Sequence, residues 1–227
     1  LIKEVKMKLF VDSANVDQIR KAFSLGVLDG VTTNPTLAAK EGRDFEGLVK
    51  EILAIFKGTN GYVSLEVISE ESENMVKEGL NLAKLSKNVV VKVPCTEDGY
   101  KACKILSLKK IRVNMTLCFS ASQALLAAKA GAFFISPFIG RLDDQNDSGM
   151  RLVEEIKKIY NNYNFKTQIL VASIRSPRQV VEAAMIGADI CTMPYAVFEK
   201  LYKHALTDLG LRMFLDDWYS YKTKLKR

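Results

Sequence analysis

The 227-residue sequence predicts an α/β chain closed into a (β/α)8 (TIM) barrel with an extra C-terminal helix. Eight short β-branched runs recur along it, and amphipathic helical stripes fill the gaps between them. Regular strand–helix alternation implies a parallel sheet with the helices outside, and eight units at this length fit a small barrel. An open doubly wound sheet is the alternative. The first strand–helix turn, DSANVDQ, lacks the glycine-rich dinucleotide fingerprint that would favour it. No Pro/Gly/Ser-rich linker interrupts the chain, so residues 1–227 read as one domain.

The first run, KLFVD (8–12), ends at Asp12, in phase with Phe10. A helix follows over Asn15–Leu25, with Val16, Ile19 and Phe23 on one stripe. The second run, GVTTN (30–34), ends at Thr33 and Asn34, and a helix over Phe45–Phe56 follows it. In the third run, YVSLEV (62–67), Glu66 is in phase with Ser64. The fourth, VVVKVP (89–94), holds Lys92 in phase with Val90, while Val89, Val91 and Val93 face the helices. The fifth, RVNMT (112–116), carries Asn114 and Thr116 on one face. The sixth, AFFISPF (132–138), sets Ser136 and Phe138 in phase with Phe134, and a helix over Gly149–Tyr160 comes next. The seventh, QILVAS (168–173), ends at Ser173, with Arg175 two residues on and Pro177 at a helix start. ADICTM (188–193) completes the set. The segment 207–221 is a further helix rich in Leu, Met, Phe, Trp and Tyr, so it must bury against its own barrel or a neighbouring subunit.

Lys92 is the most informative position. An ammonium is costly to bury, so a lysine inside an apolar strand tends towards the neutral amine that imine chemistry requires. The plain alternative is a strand-end lysine reaching out to solvent. In a barrel the reactive groups collect at the C-terminal strand ends. Asp12, Thr33, Asn34, Glu66, Lys92, Asn114, Thr116, Ser136 and Ser173 all fall at that rim. Each has a structural reading: Asp12 as a helix cap, Thr33 and Asn34 as a turn before Pro35, the serines as small residues in a tapered barrel. Glu66 and Lys92 on adjacent strands would also make a structural ion pair. Read as chemistry, Lys92 attacks a ketone, and Asp12, Glu66 and Thr116 move protons through a water. Arg141 and Arg175, in the loops after the sixth and seventh strands, suit a phosphate dianion. The alternative partners for these arginines are Asp143, Asp144 or helix ends.

The rest of the composition excludes classes. With 48% apolar and 26% charged residues the chain has an ordinary soluble composition, and no apolar run suggests a membrane span. His204 is the sole histidine and falls in the helical C-terminal part, so neither a histidine triad nor a histidine-ligated zinc is expected. Cys95, Cys103, Cys118 and Cys191 fit no zinc spacing and read as reduced thiols of a cytoplasmic protein. Asp143, Asp144 and Asp147 lack the spacing of a calcium loop, so no metal is expected. The net charge of +7 is dispersed except in the solvated tail 222–227, and nucleic acid is not an expected partner. The N-terminus lacks the apolar core of a secretory signal, and Met7 is a candidate natural start.

Six stretches taken together resemble the transaldolase family in its short form, which includes the fructose-6-phosphate aldolases. They are LFVDSAN (9–15), DGVTTNPTL (29–37), VVKVPCTEDG (90–99), NMTLCFS (114–120), ISPFIGRLDD (135–144) and VASIRSPRQV (171–180), and the likeness runs on to DDWYS (216–220). The resemblance implies a barrel, a Schiff-base mechanism without cofactor, and sugar phosphates as substrates. It implies that Lys92 forms the imine and that Asp12, Glu66 and Thr116 hold the catalytic water. By the same resemblance Asn34 and Asn114 bind substrate hydroxyls, Thr33, Ser136 and Ser173 line the channel, and Arg141 and Arg175 grip the phosphate. Aldolase-type members carry Gln at the Glu66 position and Tyr at the Phe138 position, so the resemblance points to transfer of a dihydroxyacetone unit between ketose and aldose phosphates. Short members are pentamers or paired pentamers, which implies a homo-oligomer joined through the C-terminal helix. A deoxyribose-phosphate aldolase or a non-catalytic phosphosugar barrel are the rival classes.

Overall fold

A computed structural model describes residues 7–225. Residues 1–6, ahead of the candidate start Met7, and the last two residues of the basic tail lie outside the described residues. The elements alternate as expected: β1 (Lys8–Asp12), α1 (Val16–Ser24), β2 (Gly30–Thr32), α2 (Pro35–Lys40), α3 (Phe45–Ile55), β3 (Tyr62–Glu66), α4 (Ser72–Leu85), β4 (Val89–Pro94), α5 (Glu97–Leu108) and β5 (Val113–Cys118). They continue through α6 (Ala121–Ala130), β6 (Phe134–Pro137), α7 (Ile139–Asp143), α8 (Gly149–Asn162), β7 (Gln168–Val171), α9 (Pro177–Ile186), β8 (Ile190–Met193), α10 (Tyr195–Lys200) and α11 (Ala205–Leu225). The eight strands close in sequence order, every pair is parallel, and β8 returns to β1. The open-sheet alternative is thereby removed.

Two apolar layers hold the cylinder. The larger lies between strands and helices and includes Val63, Val91, Val93, Met115 and Ile135, the outward residues of their strands. The smaller fills the barrel interior with Phe10, Val90, Phe134, Leu170 and Ile190. Gly30 is required there, because a Cβ would stand 2.6 Å from the Phe10 ring. Above this floor the inward positions turn polar, and a closed register places those side chains on one wall. α2, α7 and α10 are too short to show a periodic stripe in the sequence.

α11 differs from every other helix. It is 21 residues long and none of them is buried. Leu206, Leu209, Phe214, Trp218 and Tyr219 are each at least half exposed. Packing across the chain's own barrel is therefore not what covers this face. A separate groove of about 890 Å³ opens between α3 and α4, lined by Phe45, Val49, Leu53, Leu82 and Leu85.

Candidate active site

β4 carries Lys92 because its β-branched neighbours alternate outward, which leaves Val90 and Lys92 to point in. Lys92 registers with Glu66 on β3 and with Asn114 on β5. Its Nζ donates to Glu66 Oε2 at 3.0 Å, and the two side chains are 5% and 14% exposed. The reading that sends this lysine out to solvent is excluded. The ion pair that was its structural alternative is present.

Asp12 stands on β1 beside the same centre. It does not cap α1, since Asn15 does so by accepting from Gln18 N. Asp12 Oδ1 instead accepts from Thr32 Oγ1 at 2.6 Å. Burial raises the Asp12 carboxyl above its ordinary range, and the Lys92 charge and the Thr32 bond offset part of that rise. An acid with a raised pKa next to an amine suits proton transfer.

A cavity of about 130 Å³ opens over Lys92 and Asp12. Asn34, Ser136, Phe138, Arg141 and Ser173 line it, and so do Thr32, Ala172 and Thr192. Asn34 has two duties: its Oδ1 caps α2 through Leu37 N at 2.9 Å, so the turn reading holds as well. The Phe138 ring is near two cations, with Lys92 Nζ 5.9 Å and the Arg141 guanidinium 5.2 Å from its centroid. Ser173 keeps a left-handed φ of 61°, a strained backbone of the kind found at functional sites.

Asn114 lies one layer lower, fully buried, and its amide is locked. Ser136 Oγ donates to its Oδ1 at 2.7 Å, and its Nδ2 donates to Ser64 Oγ at 3.3 Å. Thr116 is also fully buried and its hydroxyl has no protein partner, an arrangement suited to a bound water. Just beyond it Leu117 takes φ 55° and the β5–β6 register shifts by one residue, a bulge after which pairing resumes between Cys118 and Pro137.

Asn114 and Thr116 are buried without lining this cavity, and Thr33, Glu66 and Arg175 do not line it either. Thr33 faces a side groove with Ala38, Arg43 and Phe45, and Thr32 takes the inward place because it is the residue in register with Asp12. Arg175 is bound through both guanidinium nitrogens to Asp144, the alternative its sequence neighbourhood offered. It keeps the Asp144 carboxyl below the usual range. Glu66 reaches the cavity through Lys92 and itself lines the side groove. Thr32 and Thr192 went unassigned in the sequence, although each sits two residues from an inward apolar neighbour, Gly30 and Ile190.

Among the described residues no group of three or more His, Cys, Asp or Glu side chains is arranged to hold a metal ion. Asp143 accepts from Gly149 N and Gln179 Nε2, tying α7 to α8 and α9. The four cysteines are free and buried. His204 precedes α11, where its Nδ1 accepts from Leu206 N at 3.1 Å, rather than lying inside a helix.

A family profile described as Transaldolase/Fructose-6-phosphate aldolase matches residues 9–226. A probable transaldolase of Aquifex aeolicus (strain VF5) is 58% identical over 212 residues, covering 93% of this chain and 96% of that protein. A probable transaldolase of Thermodesulfovibrio yellowstonii is 54% identical over 216 residues, covering 95% of this chain and all of its own. Among solved structures, a thiamine phosphate pyrophosphorylase from Pyrococcus furiosus aligns with a TM-score of 0.58 at 14% identity, over 83% of this chain and 86% of its own. At that identity the likeness is one of fold alone.

Proposed function

The chain belongs to the transaldolase/fructose-6-phosphate aldolase family, and from that premise we propose that it is a transaldolase working through an imine on Lys92. The observation that carries this reading is a buried lysine amine 3.0 Å from a carboxylate at the C-terminal rim of a closed barrel.

In this reading Lys92 passes a proton to Glu66 and attacks the C2 carbonyl of a ketose phosphate such as fructose 6-phosphate or sedoheptulose 7-phosphate. The carbinolamine takes a proton back and loses water, leaving a protonated imine. Asp12 then accepts the C4 hydroxyl proton, the C3–C4 bond breaks, and its electron pair moves into the imine as an enamine. The aldose phosphate leaves. A second aldose phosphate, erythrose 4-phosphate or glyceraldehyde 3-phosphate, accepts the three-carbon unit by the reverse steps, and water releases the product. The iminium is the electron sink, so no metal or organic cofactor is required. Thr116 holds the water, Asn34, Ser136 and Ser173 meet substrate hydroxyls with Asn114 orienting the Ser136 hydroxyl from below, and Arg141 takes the phosphate. Arg175 joins it on release from Asp144. Phe138 lacks a phenol to protonate the enamine, which spares it for the acceptor and favours transfer over release of free dihydroxyacetone.

A homo-oligomer, pentamer or decamer, accounts for the uncovered face of α11. We place the reaction in the cytoplasm, where sugar phosphates are made; no helix among the described residues is long and apolar enough to cross a membrane.

Borohydride added with fructose 6-phosphate should fix a sugar-derived mass on Lys92, and Lys92→Met should abolish both the label and the activity. An intact protein that turns over without any label on Lys92 would overturn the reading.

A further inference from the structure

β1 lies between β2 and β8, and each neighbour sends one threonine towards it. Thr32 on β2 registers with Asp12, and Thr192 on β8 registers with Phe10, two residues below. Thr32 Oγ1 is 2.6 Å from Asp12 Oδ1 and also 2.6 Å from Thr192 Oγ1. Both threonines are 2% exposed, so water does not compete freely for these contacts.

A hydroxyl has one hydrogen to give. While Asp12 is a carboxylate, Thr32 must donate to it, and Thr192 must then donate to Thr32. When Asp12 holds a proton the chain can reverse. Asp12 donates to Thr32, Thr32 donates to Thr192, and the Thr192 hydrogen is released towards the cavity it lines. The direction of the hydrogens follows the charge on Asp12.

We propose that Thr192 is a positioning residue for the reaction, orienting the Thr32 hydroxyl and through it the Asp12 carboxyl. This rests on Asp12 carrying protons for an imine on Lys92. The charged groups around Asp12 are Lys92 on β4, with Glu66 behind it on β3, and Arg141 from α7 on the shared cavity. A change at Thr192 leaves all three in place.

Thr192→Val keeps the side-chain shape and removes the donor, and Thr192→Ser keeps the donor. Transfer from fructose 6-phosphate to erythrose 4-phosphate is followed across pH, with borohydride trapping in parallel. In Thr192→Val the bond to Asp12 loses its cooperative support, so the carboxylate is less favoured and the acid limb of kcat moves to higher pH. A fall in kcat of about tenfold is expected, with KM little changed, trapping on Lys92 retained, and Thr192→Ser close to wild type. Thr192→Ala replaces the valine variant if that one does not fold, with the same expectations. An unmoved acid limb in the hydroxyl-free variant overturns the proposal, as does a serine variant as slow as the valine one. Failure of trapping in the unaltered enzyme defeats the underlying reading instead, and is seen before any variant is made.

Discussion

Replacing Lys92 with Met and Glu66 with Leu, singly and together, measures the contact at the centre of the site. At 3.0 Å two unit charges attract by about 5 kcal/mol in an effective dielectric of about 20, and desolvation offsets most of that. The cost of losing one partner depends on what the other can reach. In Glu66→Leu the ammonium stays in a position only 5% exposed, with Asp12 as its remaining counter-charge, and a loss of about 3 kcal/mol is expected. In Lys92→Met the Glu66 carboxylate, 14% exposed, can turn to solvent, so about 2 kcal/mol is expected. The double variant removes both charges and should lie within about 1 kcal/mol of the unaltered protein. Asp12 loses its counter-charge both in Lys92→Met and in the double variant, so that contribution cancels from the coupling. Urea unfolding followed by circular dichroism, at one protein concentration, gives the four stabilities. Additivity within about 0.5 kcal/mol would refute the pair and with it the proton hand-off from Lys92 to Glu66.

Asp12→Asn should be nearly inactive yet more stable than the parent at neutral pH. The Asp12 carboxyl is raised in the folded protein, so its contribution is fully present below the unfolded value of 3.8 and is lost as pH rises through the folded one. Melting curves at neutral and acidic pH should therefore converge towards acid, and a parent that is the more stable at neutral pH contradicts the assignment. Phe138→Tyr places a phenol near an amine 5.9 Å from the ring centre and should raise dihydroxyacetone release in the absence of acceptor by about tenfold. Unchanged release removes Phe138 from the partition between transfer and cleavage. Aspartates in place of Phe214 and Trp218 should reduce the sedimentation coefficient to that of smaller species while borohydride still labels Lys92. Unchanged sedimentation excludes α11 from the interface.

Strand order and the Lys92–Glu66 ion pair are legible because alternation is local: in VVVKVP every second residue must face the helices, and only Val90 and Lys92 are left to face in. Thr32 and Thr33 show where that reasoning ends. Both are threonines at a strand end, and only the pairing of Asp12 with Thr32, with Gly30 against the Phe10 ring, decides which one enters the wall. Thr192 is missed for a related reason. Its run, ADICTM, is apolar enough to read as core, and its partner hydroxyl is 160 residues away in the chain. Arg175 is found by its motif and Asp144 is among the partners the sequence offers it, but the choice between that carboxylate and an open phosphate grip depends on how the loops after β6 and β7 meet, which no periodicity encodes. The left-handed φ at Leu117 is likewise invisible, because leucine has no preference for it.

The last strand to be synthesised lies against the first, and this has a consequence for folding. A nascent chain that has reached β4 already owns Lys92, Glu66, Asp12 and Thr32, but the Thr192 hydroxyl that completes the row arrives with β8. Contacts between such distant segments form late, after the loop entropy of the whole chain has been overcome. Ring closure and completion of the Asp12 wall are thus one kinetic event, and half-made chains would carry Lys92 beside an unfinished Asp12 wall.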